Sequence, residues 1–169
     1  MIIAVLSWIH FESPGLITGP DNLKETGHAK KYIKMKDDDK ISLIIEKINY
    51  AWLNKEFHLL EDLLHESVIF LSPDFKESLD GKKACIRSYR DFMDKARKIK
   101  FIPEKIAVFF LNETAVATCP FKIGFEIQDQ MNFESGTEIL IFEKTRNRWL
   151  LRWRVICNLK TITGEAFNL

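Results

Sequence analysis

Three acidic residues occupy positions where a carboxylate could act as a general base. Asp74 lies three residues after the apolar run that ends at Leu71, and Glu126 and Glu138 each lie within a strand-like apolar stretch. A carboxylate that is buried without a partner has its pKa raised by several units, so it can accept a proton near neutral pH. Glu138 and Asp74 are therefore the candidate catalytic bases.

An ion pair is the alternative role for two of these carboxylates. Arg152 and Arg154 lie on the last apolar stretch, which follows the stretch that contains Glu138. Where neighbouring strands pair, Glu126 or Glu138 would meet one of these arginines on the outer face of the sheet. The sequence favours this ion pair over a free base.

Two tyrosines are the candidate hydrogen-bond donors beside such a base. Tyr50 and Tyr89 each lie on a predicted helix. A metal site is not expected from the four histidines of the chain. His58 and His65 are seven residues apart and lack the i, i+4 spacing of a helical zinc site.

The composition of the chain indicates which kinds of binding partner and which cellular compartment to expect. Lysine and arginine together number 25 and the acidic residues 24, so the formal net charge of +1 provides no field to attract nucleic acid or an anionic membrane. No glycine-rich phosphate loop occurs, and no cofactor is expected. Cys85, Cys119 and Cys157 are odd in number and widely spaced, which is typical of reduced thiols. These features predict a cytoplasmic protein without a nucleic-acid or membrane partner.

Apolar periodicity predicts helices first and strands afterwards. The predicted helices run from Ile41 to Trp52 behind three aspartates, from Leu59 to Leu64, and from Cys85 to Ala96. A short strand over residues 67–71 precedes the third helix, and four strand-like runs cover about residues 100–111, 115–128, 133–144 and 148–159. Helices followed by a long antiparallel meander predict an α+β domain whose twisted sheet curls around the helices.

Three segments differ in their organisation. Residues 1–37 contain turn signals and a polar, aperiodic stretch, which predicts a loosely ordered extension. Residues 38–160 contain all the predicted helices and strands and form one domain. Residues 161–169 are a C-terminal tail.

Several strings within residues 38–160 occur in a familiar order. They are Trp52-Leu53-Asn54, residues 65–73, Gly81-Lys82-Lys83-Ala84, residues 112–117, residues 136–142 and residues 148–154. Together they resemble the SnoaL-like branch of the nuclear transport factor 2-like superfamily. The resemblance implies a cone-shaped α+β barrel in which a curled antiparallel sheet wraps about three N-terminal helices.

The resemblance implies a fold more than an activity, since the superfamily includes isomerases, dehydratases, cyclases and kinase association domains. In enzymes that resemble ketosteroid isomerase, the position of the base falls on Ser72 here, and a serine cannot take a proton from carbon without a partner base. The tyrosine donor of the first helix falls near Asn49, with Tyr50 turned away by about 100°. Isomerase chemistry of that exact kind is therefore not expected. Lyase or isomerase chemistry through the candidate bases and donors named above is the catalytic alternative.

Aromatic side chains from several elements would converge inside the cone and line a pocket for a small apolar ligand. The predicted pocket-lining residues are Trp52, Phe70, Ser72, Tyr89, Phe92, Phe121, Phe125 and Trp153. Core filling is the alternative role for most of them.

The last strand-like run has large side chains on both faces. Strict alternation places Trp149, Leu151 and Trp153 on one face, and Arg152 and Arg154 on the other. An outer face of this kind predicts a homodimer formed through the sheet. Two functions therefore stay open: a ligand-binding protein, with or without lyase or isomerase activity, and a non-catalytic homo-oligomeric association module.

Overall fold

The computed structural model describes residues 36–168. The extension predicted for residues 1–37 therefore lies almost wholly outside the described residues. Within the described range, the chain begins with helices and continues into a long meander of strands.

Helix α1 spans Asp37–Leu53 and buries one apolar stripe. Its first turn contains three aspartates, whose negative charge complements the positive end of the helix dipole. Ile41, Ile45 and Trp52 lie one or two turns apart, and all three are buried. The chain turns away shortly after the helix, where Lys55 has a positive φ of 59°.

The second helical segment is a 3₁₀ helix, Phe57–Asp62, and not the short α-helix that the sequence predicts. Phe57 and Leu60 are three residues apart and both are buried, which matches the three-residue period of a 3₁₀ helix. Leu64, predicted to lie in the helix, instead begins strand β1, Leu64–Leu71.

Strand β1 pairs with a three-residue strand, β2 (Ser78–Asp80), that the sequence did not predict. Gly81 then leads into helix α2, Lys82–Lys95, with a φ of +89°, a conformation that glycine adopts at little cost. Tyr89 and Phe92 of α2 are buried against the sheet.

The run predicted over residues 100–111 is two strands, β3 (Arg97–Pro103) and β4 (Ala107–Leu111). Pro103 has no backbone N–H to donate and ends β3. Both strands pair antiparallel with β5, Thr114–Ile127. Strands β6 (Gln130–Thr145) and β7 (Arg148–Thr161) complete the meander close to the predicted positions.

The described strands form one sheet in the order β2-β1-β7-β6-β5-β3, with β4 also paired to β5. Every pair is antiparallel except β1 with β7. The predicted α+β class with a curled, mostly antiparallel sheet is confirmed.

The prediction of about three N-terminal helices is not confirmed. Residues 36–168 contain four helical segments, of which one is 3₁₀ and one, α3 (Gly164–Asn168), follows the sheet. Helix α2 is also not N-terminal to the sheet, since strands β1 and β2 precede it in the chain. None of these described helices has both the length and the apolar character that crossing a bilayer requires.

A β-bulge in β7 decides which of its side chains face the helices. In the ladder with β6, Arg152 is an extra residue between Leu151 and Trp153, which both keep partners. The alternation of side chains shifts by one at a bulge. Arg154 therefore shares the helix-facing side with Trp149 and Leu151, whereas Trp153 turns outward. The predicted division of β7 into two faces was wrong for this reason.

Helix α3 lies within the predicted C-terminal tail and packs on the outer face of the sheet. The rings of Phe167 and Phe133 are 5.2 Å apart, and Phe167 is buried. Gly124 lies beneath both rings, where a Cβ atom would come within 3.1 Å of Phe133 and 3.2 Å of Phe167. Lys122 fixes the helix from below by donating a hydrogen bond of 2.9 Å to the Ala166 carbonyl.

Candidate functional site

An ion pair lies inside the core, between the sheet and the helices. Glu138 of β6 and Arg154 of β7 are only 4% and 3% exposed. Arg154 Nε donates to Glu138 Oε1 at 2.8 Å, and a second guanidinium nitrogen donates to the same oxygen. The sequence favoured a pairing of this kind but placed it on the outer face. The bulge at Arg152 turns Arg154 inward and so brings the pair into the interior.

Two aromatic rings enclose the guanidinium of Arg154. Its Cζ atom lies 5.2 Å from the ring centre of Phe70 in β1 and 5.6 Å from that of Tyr89 in α2. Contacts of this kind attract a cation to the ring face. Burial raises the pKa of the Tyr89 hydroxyl, which therefore stays protonated and able to donate.

Aromatic side chains from α1, α2, β1 and β5 lie in the interior around this pair. The Trp52 ring stacks on Tyr89 at 5.2 Å, and Phe92 contacts Phe125 edge-on at 5.6 Å. Six of the eight predicted pocket-lining residues are buried here: Trp52, Phe70, Tyr89, Phe92, Phe121 and Phe125. Their contact with a ligand stays a prediction. The indole N–H of Trp52 is buried and has no hydrogen-bond partner within residues 36–168.

Two thiols border the ion pair. Burial raises the pKa of the Cys85 thiol to about 12, and burial followed by the nearby Glu138 charge raises that of Cys119. Both thiols are therefore protonated at neutral pH, and a protonated thiol is a poor nucleophile.

A further interior carboxylate, Glu134, was missed by the sequence reasoning. Glu134 pairs with Ile123 of β5, which is fully buried, and so lies on the helix-facing side of β6. Its Oε2 atom is buried and has no hydrogen-bond partner in the described part of the chain. Burial raises the pKa of this carboxyl. Counting back from Glu138 in steps of two places Glu134 on the same face, and this signal was present in the sequence.

A family model described as a SnoaL-like domain matches residues 41–153, which is more than half of the chain. The chain belongs to the SnoaL-like family. The resemblance to the SnoaL-like branch of the nuclear transport factor 2-like superfamily is confirmed.

Solved structures share the fold of this SnoaL-like protein at low identity. A nuclear transport factor 2-like protein from Cytophaga hutchinsonii is 20% identical, with a TM-score of 0.60 over 76% of this chain and 100% of that one. A provisionally assigned scytalone dehydratase from Novosphingobium aromaticivorans is 14% identical, with a TM-score of 0.62 over 75% and 85%. A provisionally assigned Ca/calmodulin-dependent kinase II association domain from Exiguobacterium sibiricum is 11% identical, with a TM-score of 0.64 over 78% and 97%. At these identities the likeness shows the fold alone, and no curated protein matches the chain.

Ser72 of this SnoaL-like protein is buried and organises the turn between β1 and β2. Its hydroxyl donates to Asp74 Oδ1 at 2.7 Å and accepts from the Glu77 N–H at 3.0 Å. Asp74 is exposed. The Ser72 hydroxyl and the backbone N–H of Lys76 lower the pKa of Asp74. The structure therefore gives Asp74 the opposite of the raised pKa that a general base requires.

We expect Ser72→Ala to cost about 1–2 kcal/mol of unfolding free energy, because the change removes two hydrogen bonds of the turn between β1 and β2. Chemical denaturation measures this loss. The matched control is Ser78→Ala, which removes one exposed hydrogen bond to Asp80 and should stay within about 0.5 kcal/mol of wild type. Equal effects of the two changes would contradict a structural role for Ser72.

Two other predicted site residues lie outside the interior. Tyr50 is 53% exposed, and its hydroxyl donates to Glu56 at 3.0 Å, so it cannot serve an interior base. Trp153 is half-buried on the outer face, as the bulge at Arg152 requires.

Glu126 lies near the end of β5 and has a different partner from the one predicted. It pairs with Lys98 at 2.5 Å and not with Arg152 or Arg154, because β6 separates β5 from β7 in the sheet. Glu126 also lines a polar surface pocket of about 270 Å³ at the end of α2, together with Lys95, Arg97, Gln128 and Asp129. Within residues 36–168, no three His, Cys, Asp or Glu side chains group closely enough to hold a metal ion.

Proposed function

We propose that this SnoaL-like protein binds a small, mostly apolar ligand in the interior of its curled sheet. The observation that carries the proposal is the buried Glu138–Arg154 pair, enclosed by aromatic rings. An apolar interior with a few convergent polar groups is the usual composition of a small-molecule site. The rings would hold the apolar body of the ligand, and Arg154, Glu138 and Tyr89 are polar groups that could meet a polar group of the ligand.

Energetics support a recognition role for the ion pair. Moving two charges out of water costs desolvation free energy, and the attraction between the charges often does not offset this cost. A pair of apolar side chains of similar volume would hold the core at least as well, so stability alone does not require Arg154 and Glu138. A role in orienting a ligand would explain why the core contains these two charged side chains.

Acid–base catalysis of the lyase or isomerase type would need an interior carboxylate that is free to take a proton. The carboxylate of Glu138 is paired with Arg154, and Asp74 is exposed and has a lowered pKa. Glu134 combines an interior position with a raised pKa and replaces both as the candidate base, with Tyr89 as the donor. Ligand binding is the proposed activity. Catalysis would require a substrate bound at the same interior site.

A thermal-shift screen tests the proposal. We expect some small apolar compounds with one polar group to raise the melting temperature, by an amount that grows with ligand concentration. Tyr89→Phe keeps the ring that stacks on Trp52 but removes the interior hydroxyl, and it should weaken the shift given by compounds that accept a hydrogen bond. Tyr50→Phe, at an exposed position, is the matched control and should leave the shift unchanged. A library without a single stabilising compound would count against the proposal.

The alternative function is a homo-oligomeric association module, and the outer face of the sheet favours it. Half-buried apolar side chains from neighbouring strands form one patch there, which we call the outer patch: Ile69, Leu71, Val116, Ile139, Ile141 and Trp153. Helix α3 covers the neighbouring part of this face around Gly124. A contiguous apolar patch with a tryptophan at its centre is typical of a protein interface. Association through the outer patch is compatible with ligand binding in the interior.

A further inference from the structure

The charge balance of the interior leaves one carboxylate without a partner. Arg154 is already bound by Glu138, and both are buried. Glu134 lies four residues before Glu138 on the same face of β6, and its buried Oε2 atom has no hydrogen-bond partner within residues 36–168. Once ionised, Glu134 therefore gives this interior one negative charge in excess.

Aromatic rings flank Glu134 within the sheet. Its direct partner on β5 is Ile123, so Phe121 and Phe125 are its diagonal neighbours on the same face. Such diagonal neighbours lie within reach of long or aromatic side chains. Both rings are buried in the interior.

The charged groups on the elements around Glu134 face away from it. Lys122 of β5 donates to the Ala166 carbonyl, and Lys100 of β3 lies 5.1 Å from the ring centre of Phe167, so both point to the outer face under α3. Lys160 of β7 pairs opposite Ser135, also on the outer face, and Glu165 of α3 is exposed. No described cation therefore neutralises Glu134.

We infer that Glu134 makes the interior site selective for a ligand that carries a protonated nitrogen, which would pair with the carboxylate between Phe121 and Phe125. This inference rests on the proposed function, because it names the chemical class of the ligand. A carboxylate supplies the opposite charge, and aromatic faces attract an ammonium group, so the two features select the same kind of ligand.

The stability of the empty protein provides an independent readout of the uncompensated carboxylate. Burial raises the pKa of Glu134 in the folded state, so ionisation of Glu134 opposes folding. Stability is therefore lost as the pH rises from the unfolded carboxyl pKa, about 4.3, through the folded value. Glu134→Gln removes this penalty and should raise the melting temperature at about pH 8, with no gain at about pH 4. The matched control is Glu46→Gln on the exposed face of α1, which should show no such pH-dependent gain.

Three small probes of similar size test the selectivity. They are 2-phenylethylamine, 2-phenylethanol and 3-phenylpropanoate, compared by titration calorimetry or by thermal shift near neutral pH. We expect the amine to bind wild-type protein about tenfold more tightly than the alcohol, and the carboxylate to bind most weakly. Glu134→Gln should abolish the preference for the amine over the alcohol, while Glu46→Gln should retain the preference.

Each other outcome overturns the inference. Equal binding of the amine and the alcohol, or an amine preference that survives Glu134→Gln, shows that Glu134 does not select the ligand. If none of the three probes binds, the inference also fails, whereas the proposed function still depends on the wider screen and on Tyr89→Phe. Failure of the inference and failure of the proposed function are thus separate results.

Discussion

Arg154→Met is expected to lower the unfolding free energy by about 3–5 kcal/mol. The change leaves the carboxylate of Glu138 buried in an aromatic interior with no counter-charge, and such an uncompensated charge is among the most costly defects in a core. Chemical denaturation followed by tryptophan fluorescence measures the loss.

The double change Glu138→Leu with Arg154→Met is the matched control. Removing both charges should bring stability back to within about 1 kcal/mol of wild type, or above it. The difference between the double change and the sum of the two single changes then gives the coupling energy of the pair.

The pH dependence of Arg154→Met provides a second check with a definite sign. Without its partner, the buried carboxylate of Glu138 would be an uncompensated charge, and protonation would relieve the defect. The deficit should therefore be smallest at acidic pH and grow as the pH rises. A small, pH-independent deficit would contradict the buried pair.

The second large effect is expected on self-association. We predict that the protein forms a dimer through the outer patch and that Trp153→Glu weakens the dimer by at least about 30-fold, since a central aromatic anchor commonly contributes about 2 kcal/mol or more. A charge at this position would be buried against apolar side chains of the second copy. Sedimentation equilibrium measures the dissociation constant.

Leu43→Glu is the matched control for Trp153→Glu. Leu43 is an exposed apolar residue on α1, away from the outer face, so the same added charge should leave the dimer intact. A wild-type protein that stays monomeric at high concentration, or a Trp153→Glu variant with the mass of the wild type, would reject the outer patch as the interface.

Side-chain periodicity was sufficient to predict much of the fold. In β5, apolar side chains such as Phe121 and Phe125 alternate with polar ones, so the strand and its buried face could be identified directly. The stripe of α1 from Ile41 to Trp52 was equally clear. These patterns reflect burial on one face, which is a local property of the sequence.

The misplaced site residues depended on features that periodicity does not encode. The bulge at Arg152 inserts one residue into β7 and reverses the faces of the residues that follow it as far as Cys157, so Arg154 was predicted to point outward when it points inward. No local signal marks this bulge, because it follows from the register between two strands. Glu134 was overlooked for a different reason: it adjoins the polar start of β6, although its spacing from Glu138 was visible.

The indole N–H resonances offer the most direct test of the interior ligand site. Trp52 lies in the interior and Trp153 on the outer face, so their assigned ¹⁵N–¹H signals report separately on the two sides of the sheet. On titration with 2-phenylethylamine, or with a compound found in the screen, we predict a saturable shift of the Trp52 signal and little change at Trp153. Shifts confined to Trp153, with Trp52 unchanged at saturation, would place the ligand outside the sheet and contradict the account.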